Sequence, residues 1–254
     1  MKYFLSLILI TTPLLAYQVG ESSLGGQLGF ATSEFELDYG SLSSVDANGD
    51  LTGFSFELTG NLNTYNNSNN TFGLDLYTNL AVAPALSDTI NGTEIEASTY
   101  NLNFSLRPYF RTGIFSPYAV IGISYSSFEV EEEGFTGWRK GTKFSPTLGF
   151  GASLSFTESL VFSPSFTWSK AEVPSISSSF YSIDFGSVNA FNFNFPLTYQ
   201  VSDHFSIGAV LNHTNYSDVE QASGQLFGSS VTLTDPIKFS YWVTSFMVKG
   251  DFVF

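Results

Sequence analysis

The final stretch of the chain is amphipathic: Phe239-Ser240-Tyr241-Trp242-Val243-Thr244-Ser245-Phe246-Met247-Val248-Lys249-Gly250-Asp251-Phe252-Val253-Phe254. Side chains along a strand point alternately to its two faces, so residues of one parity share a face. One face here carries large apolar side chains, at Trp242, Phe246, Val248, Phe252 and Phe254. The opposite face carries Lys249 and Asp251. The pattern predicts a strand with one face in an apolar medium and the other in a polar one.

The same alternation recurs through most of the chain. It is clearest in residues 144–156, where apolar residues alternate without a break with small or polar ones. Similar segments lie at 24–32, 53–59, 72–82, 100–111, 118–128, 160–169, 191–201 and 205–211. Most are close to the roughly 9 to 11 residues that a tilted transmembrane strand needs. The sequence therefore predicts about ten strands, with eight or twelve as alternatives.

The polar face of these strands distinguishes a membrane barrel from a soluble one. A soluble sheet would present Lys and Glu to water, whereas this face is mostly Ser, Thr, Asn and Gly, which suit a crowded, hydrated lumen. Charged residues make up only 13% of the chain and aromatic residues 17%. A basic side chain facing lipid at mid-membrane would cost about 2 to 4 kcal/mol. We therefore predict a luminal charge cluster that comprises Glu57, Asp75, Arg107, Arg111, Lys249 and Asp251.

The final strand, which ends on Phe254, resembles the C-terminal strand of bacterial outer-membrane β-barrels. This resemblance implies that the barrel assembly machinery recognises the strand and that it closes the barrel through Trp242, Phe246, Val248, Phe252 and Phe254. More broadly, the chain looks like small barrels of porin-like or OmpA-type architecture without a periplasmic domain. The predicted fold is an all-β, antiparallel, up-and-down transmembrane β-barrel, with outer-membrane lipid and lipopolysaccharide as its surroundings.

The first residues indicate secretion. Lys2 precedes an apolar run at 4–10, and the small residue Ala16 follows, which is typical of a signal peptide. The run is shorter than the roughly 20 apolar residues of a membrane-spanning helix. We expect a signal peptide at 1–16 and a barrel at 17–254.

Connection lengths predict the orientation of the barrel. Short links at 112–117, 157–159 and 202–204 alternate with longer polar segments around 38–50, 83–97, 129–142, 170–188 and 213–238. In outer-membrane barrels short turns lie in the periplasm and long loops outside. We expect both termini in the periplasm and acidic extracellular loops.

The long segments are also expected to contain parts of strands. Tyr181, Ile183 and Phe185 share the parity of Phe191, which favours an extension of that strand over a separate one. One strand over 181–201 would be about 70 Å long at roughly 3.3 Å per residue. It would overshoot an apolar band about 25 Å tall, so strands are expected to project beyond the membrane.

Composition excludes several classes of function. The chain has no Cys, so it has neither disulfides nor a cysteine metal site. Its net charge of −14 argues against nucleic-acid binding, which needs Lys and Arg to neutralise phosphates. We expect no cofactor.

Two acidic segments were weighed as metal or partner sites. Residues 46–50 carry oxygen ligands, but the sixth position of this run is Leu51 where a calcium-binding EF-hand needs Gly, and Asn48-Gly49 favours a hairpin turn. Glu129, with the carboxylates at 131–133, could bind divalent cations or a basic partner. An ordinary turn and a solvated loop with charges paired across the hairpin are the favoured interpretations, and we predict no metal site.

Two histidines define the enzyme alternative. His204 falls in a predicted turn, while His213 has Asp218 and Glu220 nearby. Omptin proteases place an Asp-His pair at the barrel rim, and the resemblance to them is limited to strand number. Lipid A deacylases use a His-x-Ser arrangement, but Asn215 stands where the Ser would be. Neither set of catalytic groups is complete, so the chain is predicted not to be an enzyme.

The predicted function is that of a structural or surface-binding outer-membrane barrel, whose lumen is plugged by polar and charged side chains and whose extracellular ligand is not specified by the sequence. A small passive pore for ions or small solutes is one alternative. A rim-located hydrolase of omptin or lipid A deacylase type is another.

Overall fold

The computed structural model describes residues 20–38, 40, 47–90, 92–134, 136–177, 181–226 and 229–254. The predicted signal peptide at 1–16 lies outside these described residues. In the part of the chain that is described, no helix has the length and apolar character needed to cross a membrane.

The described residues form fourteen strands. The first seven are β1 (Ser23–Asp38), β2 (Ala47–Asn66), β3 (Phe72–Ile90), β4 (Thr93–Phe110), β5 (Phe115–Glu132), β6 (Trp138–Arg139) and β7 (Gly141–Ser155). The others are β8 (Leu160–Phe162), β9 (Ser165–Glu172), β10 (Ser175–Ser177), β11 (Tyr181–Ile183), β12 (Ser187–Ser202), β13 (Phe205–Leu226) and β14 (Ser229–Val253).

The sheet closes on itself because β1 pairs antiparallel with both β2 and β14. The ring runs β1-β2-β3-β4-β5-β7, then β8 and β9 in one shared position, then β12-β13-β14. This order gives ten positions around the ring, which confirms the predicted all-β antiparallel barrel of about ten strands. The short strands β6, β10 and β11 form a side branch that joins β13.

The two ends of the barrel differ. We call turn end the end at which the short turns 67–71, 111–114, 156–159 and 203–204 lie, and loop end the opposite one. The described residues at both ends of the chain meet at the turn end, where the N–H of Phe254 donates to the carbonyl of Ser22 at 3.0 Å.

The strands are longer than the sequence pattern indicated, and they extend toward the loop end. The last, β14, has 25 residues, against the roughly 9 to 11 that cross a membrane. Much of the predicted loops at 83–97 and 213–238 is therefore strand. The expectation that 181–185 extends the following strand is wrong, since β11 is separate and pairs with β10 and β13.

Each face of the barrel wall changes between apolar and polar along the strands, and the two faces change in opposite directions. On β1, Leu28 and Phe30 point outward and are exposed, and the same outward parity continues with Glu34 and Glu36. The inward parity passes through Gln27 to Phe35, which is completely buried. The outer surface is therefore apolar toward the turn end and polar toward the loop end, whereas the interior follows the opposite order.

The seam between β1 and β14 closes the ring. Phe30 pairs with Phe246, and Leu28 with Val248. Along β14 the outward residues Phe246, Val248, Phe252 and the terminal Phe254 are exposed. Trp242, on the same face, donates its indole N–H to Glu34 Oε2 at 2.7 Å.

Gly29 allows the seam to close. A Cβ added to Gly29 would overlap the carbonyl oxygen of Phe246 and lie 2.6 Å from the Cα of Met247. At Gly26 on the same strand, the nearest atom to an added Cβ is a Leu58 methyl at 3.8 Å, an ordinary contact. A side chain is therefore excluded at position 29 and tolerated at position 26.

Gly29→Val is expected to weaken barrel closure, because overpacking costs about 1–3 kcal/mol, whereas Gly26→Val should leave stability nearly unchanged. The measurements are the urea midpoint of unfolding in lipid vesicles and the heat-dependent shift of the folded form on gels. Equal midpoints for the two variants would contradict this account of the seam.

Candidate functional site

The turn-end half of the interior contains a buried ion pair. Lys249 Nζ lies 2.7 Å from Asp251 Oδ2, and both side chains are almost fully buried. Ser206 on β13 donates its hydroxyl to the same carboxylate oxygen at 3.3 Å. Glu57, also buried, accepts a 3.0 Å hydrogen bond from the amide of Asn79. These groups lie side by side because β13, β14, β1, β2 and β3 are successive in the ring.

Asp75 lies nearer to the mouth at the turn end and is completely buried. It accepts hydrogen bonds from Asn63 Nδ2 at 2.8 Å and from the backbone N–H of Gly20 at 2.9 Å. The chain just before β1 therefore packs against the barrel interior. In the β3–β4 register Asp75 is the direct partner of Arg107.

The two arginines of the predicted cluster lie against aromatic rings. The guanidinium carbon of Arg107 is 3.3 Å from the centroid of the Tyr77 ring and 5.4 Å from that of Tyr118. Arg111, just beyond the end of β4, lies 5.9 Å from the Tyr109 ring. A cation placed over an aromatic ring is attracted by the negative face of the ring. The structure thus places Glu57, Asp75, Arg107, Lys249 and Asp251 along the turn-end half of the interior and Arg111 next to it.

The loop-end half of the interior is an apolar core. Its buried members come from strands all around the ring, and they include Phe35, Leu37, Leu51, Leu86, Ile95, Phe128, Val130, Ile176, Ile183, Phe185, Val188, Ile237, Phe239 and Tyr241. Phe128 on β5 and Phe239 on β14 have ring centroids 5.9 Å apart, and Phe128 and Tyr241 have centroids 4.5 Å apart. Since β5 and β14 lie five positions apart on a ring of ten, these contacts cross the full width of the barrel.

A polar chamber of about 130 Å³ lies between the charged groups and the apolar core. Its lining is rich in amide and hydroxyl side chains, and it includes Asn79, Asn103, Ser126, Thr147, Asn194 and Thr214. Side-chain oxygens of Asn103, Ser126, Thr147 and Asn194 are buried there without a protein partner. Buried polar groups of this kind are commonly satisfied by internal water, so the chamber suits water or a small polar solute.

The predicted polar and charged plug describes only half of the interior. The apolar core was not predicted, although the inward parity of β5 indicates it. Phe128 and Val130 have the inward parity of Ser124 and Ser126 on β5. Phe128 is the last residue of the predicted strand at 118–128 and Val130 lies two residues beyond it, so the inward parity places both inside the barrel.

The acidic segments lie mostly on strands. Asp46 is outside the described residues, and the turn predicted at Asn48-Gly49 is wrong because β2 begins at Ala47. Among the described residues, no group of three or more His, Asp or Glu side chains has metal-binding geometry. Glu129 lies on β5 and pairs with Lys140 at 2.9 Å. The hydrogen bond to Glu129 raises the pKa of Lys140 above its ordinary value.

Neither histidine lies in the interior. His204, in the turn before β13, has Nδ1 3.2 Å from the carbonyl oxygen of Val253. His213 has the outward parity of β13, and its Nδ1 lies 2.8 Å from Thr244 Oγ1. Its ring lies between those of Phe193 and Trp242, with centroids 6.2 and 5.8 Å away. His213 therefore belongs to an aromatic group on the outer surface.

The sequence matches the family model of the outer membrane protein beta-barrel domain over residues 3–190, and the chain belongs to this family. The resemblance to small outer-membrane barrels is thereby confirmed, and the barrel is an outer-membrane protein. No curated protein matches the sequence.

Among the solved structures to which the chain is similar, OmpT supports the barrel fold. The outer membrane protease OmpT from Escherichia coli aligns with 96% of this chain and 100% of its own at 8% identity, with a TM-score of 0.62. The translocator domain of the autotransporter NalP from Neisseria meningitidis aligns with 94% of this chain and 91% of its own, at 10% identity and a TM-score of 0.45. Neisserial surface protein A aligns with 92% of this chain and 100% of its own, at 10% identity and a TM-score of 0.38. At such low identities the likeness to OmpT concerns the fold alone.

Lys249→Met is expected to destabilise the barrel by about 3–5 kcal/mol, because it leaves the Asp251 carboxylate buried without its cation. The double variant Lys249→Met/Asp251→Leu should recover most of this loss, since replacing both charges by apolar groups is often neutral. Lys140→Met, which breaks an exposed pair, should cost less than about 1 kcal/mol.

The free energy of unfolding from urea titration in vesicles measures all three effects. A loss for Lys249→Met no larger than that for Lys140→Met would show that the buried pair does not stabilise the interior.

Proposed function

We propose that this protein is a non-conducting outer-membrane barrel with a structural or surface-binding role. The observation that carries the proposal is the apolar core, in which Phe128 contacts Phe239 and Tyr241 across the width of the barrel. An ion that crossed this layer would lose its hydration without gaining polar ligands, and hydrophobic constrictions stop conduction by excluding water.

The turn end would face the periplasm and the loop end the outside, as in other outer-membrane barrels. This orientation is supported by the short turns that lie at the turn end. In this arrangement the outward apolar side chains meet lipid and lipopolysaccharide, and the final strand is the segment available to the assembly machinery.

The loop-end wall would be the binding surface. Its outer face is acidic, and in the strand registers Glu34 is the direct partner of Asp50 and Glu96 that of Glu131. Like charges opposite each other destabilise a sheet. A cationic partner at the cell surface would relieve this repulsion, so a basic protein or peptide is the favoured ligand class.

A rim hydrolase is less well supported. OmpT is a protease by its name, but the hydrogen-bond partner of His213 here is the Thr244 hydroxyl, and its neighbours are aromatic rings. A general base needs a reacting group within hydrogen-bond reach and a residue that orients it. The outward position of His213 in an aromatic group does not supply this arrangement.

The wild-type barrel is expected to give no steady conductance in planar bilayers, because the apolar core closes its interior. Phe128→Ser/Phe239→Ser removes two rings from the centre of the core and should produce steady, well-defined channels. Leu148→Ser, which changes a lipid-facing residue on β7, is the control and should show no steady conductance. A steady conductance from the wild-type protein would contradict the proposal, and the heat-dependent gel shift shows whether each variant is folded.

A further inference from the structure

Four prolines lie in one region of the barrel wall near the turn end. They are Pro108 on β4, Pro117 on β5, Pro164 between β8 and β9, and Pro196 on β12. Proline has no N–H to donate to a strand ladder. The pairing of β4 with β5 accordingly passes from Leu106–Ile121 directly to Tyr109–Tyr118.

The strand registers place these prolines at similar heights. Pro117 pairs with Ala152 on β7. Ala152 in turn donates its N–H to the carbonyl of Pro164 at 3.0 Å. The N–H of Ser163 donates to the carbonyl of Pro196, also at 3.0 Å. The ladder is therefore interrupted between β4 and β5 and between β8 and β9, whereas Pro117 and Pro196 lie within continuous pairings.

A cavity of about 1010 Å³ lies against this region on the outer surface of the barrel. We call it the proline groove. Its floor is made of small or rigid side chains with outward parity, namely Pro108, Pro117, Ala119, Ala152 and Pro164. Neighbouring positions on β5 carry Ile121 and Ile123 instead, so the depression follows from the loss of side-chain volume at this height.

Phenylalanine rings form the two walls of the proline groove. On one side Phe72 and Phe110 have ring centroids 5.7 Å apart. On the other side Phe166 lies 5.5 Å from Phe150 and 5.1 Å from Phe193. These edge-to-face and tilted contacts hold the rings in place, so the walls are set by packing within the protein.

The apolar lining of the proline groove favours a hydrocarbon chain as its ligand. Its lining is almost entirely apolar, and it opens on the lipid-facing belt of exposed Phe, Leu and Ile side chains. Water in such a place would find no hydrogen-bond partners. The volume is at the upper end of the roughly 300–1,000 Å³ of ligand pockets.

The position of the proline groove along the strands indicates which leaflet of the membrane it contacts. Phe110 ends β4 and Phe115 begins β5, on either side of the turn 111–114. The groove therefore meets the leaflet at the turn end. Under the orientation proposed above this is the periplasmic leaflet, whose phospholipids supply acyl chains.

We propose that the proline groove is a binding site for one acyl chain of a phospholipid from the leaflet at the turn end. The lipid packs between the two phenylalanine walls, over Ala119 and the prolines. It fills the depression that the small side chains of the floor leave in the wall.

The test uses the full barrel in two sets of bilayers, one of dioleoyl phosphatidylethanolamine alone and one that also contains lipopolysaccharide, followed by mild detergent extraction and native mass spectrometry. The wild-type barrel should retain one lipid. Ala119→Phe, which places a ring in the groove, should lower the retained fraction about tenfold, equivalent to about 1.4 kcal/mol of binding free energy. Ala152→Leu, on the same floor, should lower it in the same direction.

The matched control is Ala209→Phe, which adds the same ring to an outward alanine on β13 and should leave lipid retention unchanged. Equal retention by wild type and Ala119→Phe would overturn the proposal, as would equal losses in Ala119→Phe and Ala209→Phe, or retention only from bilayers that contain lipopolysaccharide. Bilayer conductance is independent of this result, so a failure here is distinguishable from a failure of the non-conducting function.

Discussion

Backbone hydrogen bonding is the constraint on which this structure depends. In hydrocarbon an unpaired N–H or C=O costs several kcal/mol, so a sheet that crosses a membrane has to close on itself. Here closure is made by the β1–β14 seam, whose pairing is continuous from Ser23–Val253 to Asp38–Lys238. Gly29 lets the two backbones approach, and Trp242 bonds Glu34 across the same seam. The alternation of side chains and the division into interior and exterior follow from this closed ladder.

Once the ladder is closed, each strand keeps its parity beyond the membrane, but the surroundings of its two faces change. Toward the turn end the outer face meets lipid and the interior holds polar and charged groups such as Lys249 and Asp251. Toward the loop end the outer face meets water, and the interior is large enough for an apolar core around Phe128 and Phe239. The molecule thus combines a membrane barrel and a soluble-type barrel on the same strands. The chamber lies where the two interiors meet.

The sequence predicted the parts of the fold that depend on local alternation. The parity of β14 was sufficient to place Phe246 and Val248 outside and Lys249 inside. The core was missed because Phe35, Leu37 and their counterparts lie beyond the belt, where the outward residues Glu34 and Glu36 are charged and the segment resembles a loop. The proline groove could not be predicted either, since Pro108, Pro117 and Pro164 become neighbours only through the strand registers.

The most direct test of the central claim, that the apolar core seals the interior from the loop end, is single-cysteine labelling in intact cells. The chain has no Cys, so Ser126→Cys in the chamber and Glu36→Cys on the outer face each introduce one thiol into an otherwise unreactive protein. A membrane-impermeant maleimide added outside should label Glu36→Cys rapidly and leave Ser126→Cys unlabelled until the barrel is unfolded. Labelling of the two variants at comparable rates would show that water and solutes reach the chamber past the core, and would contradict the account.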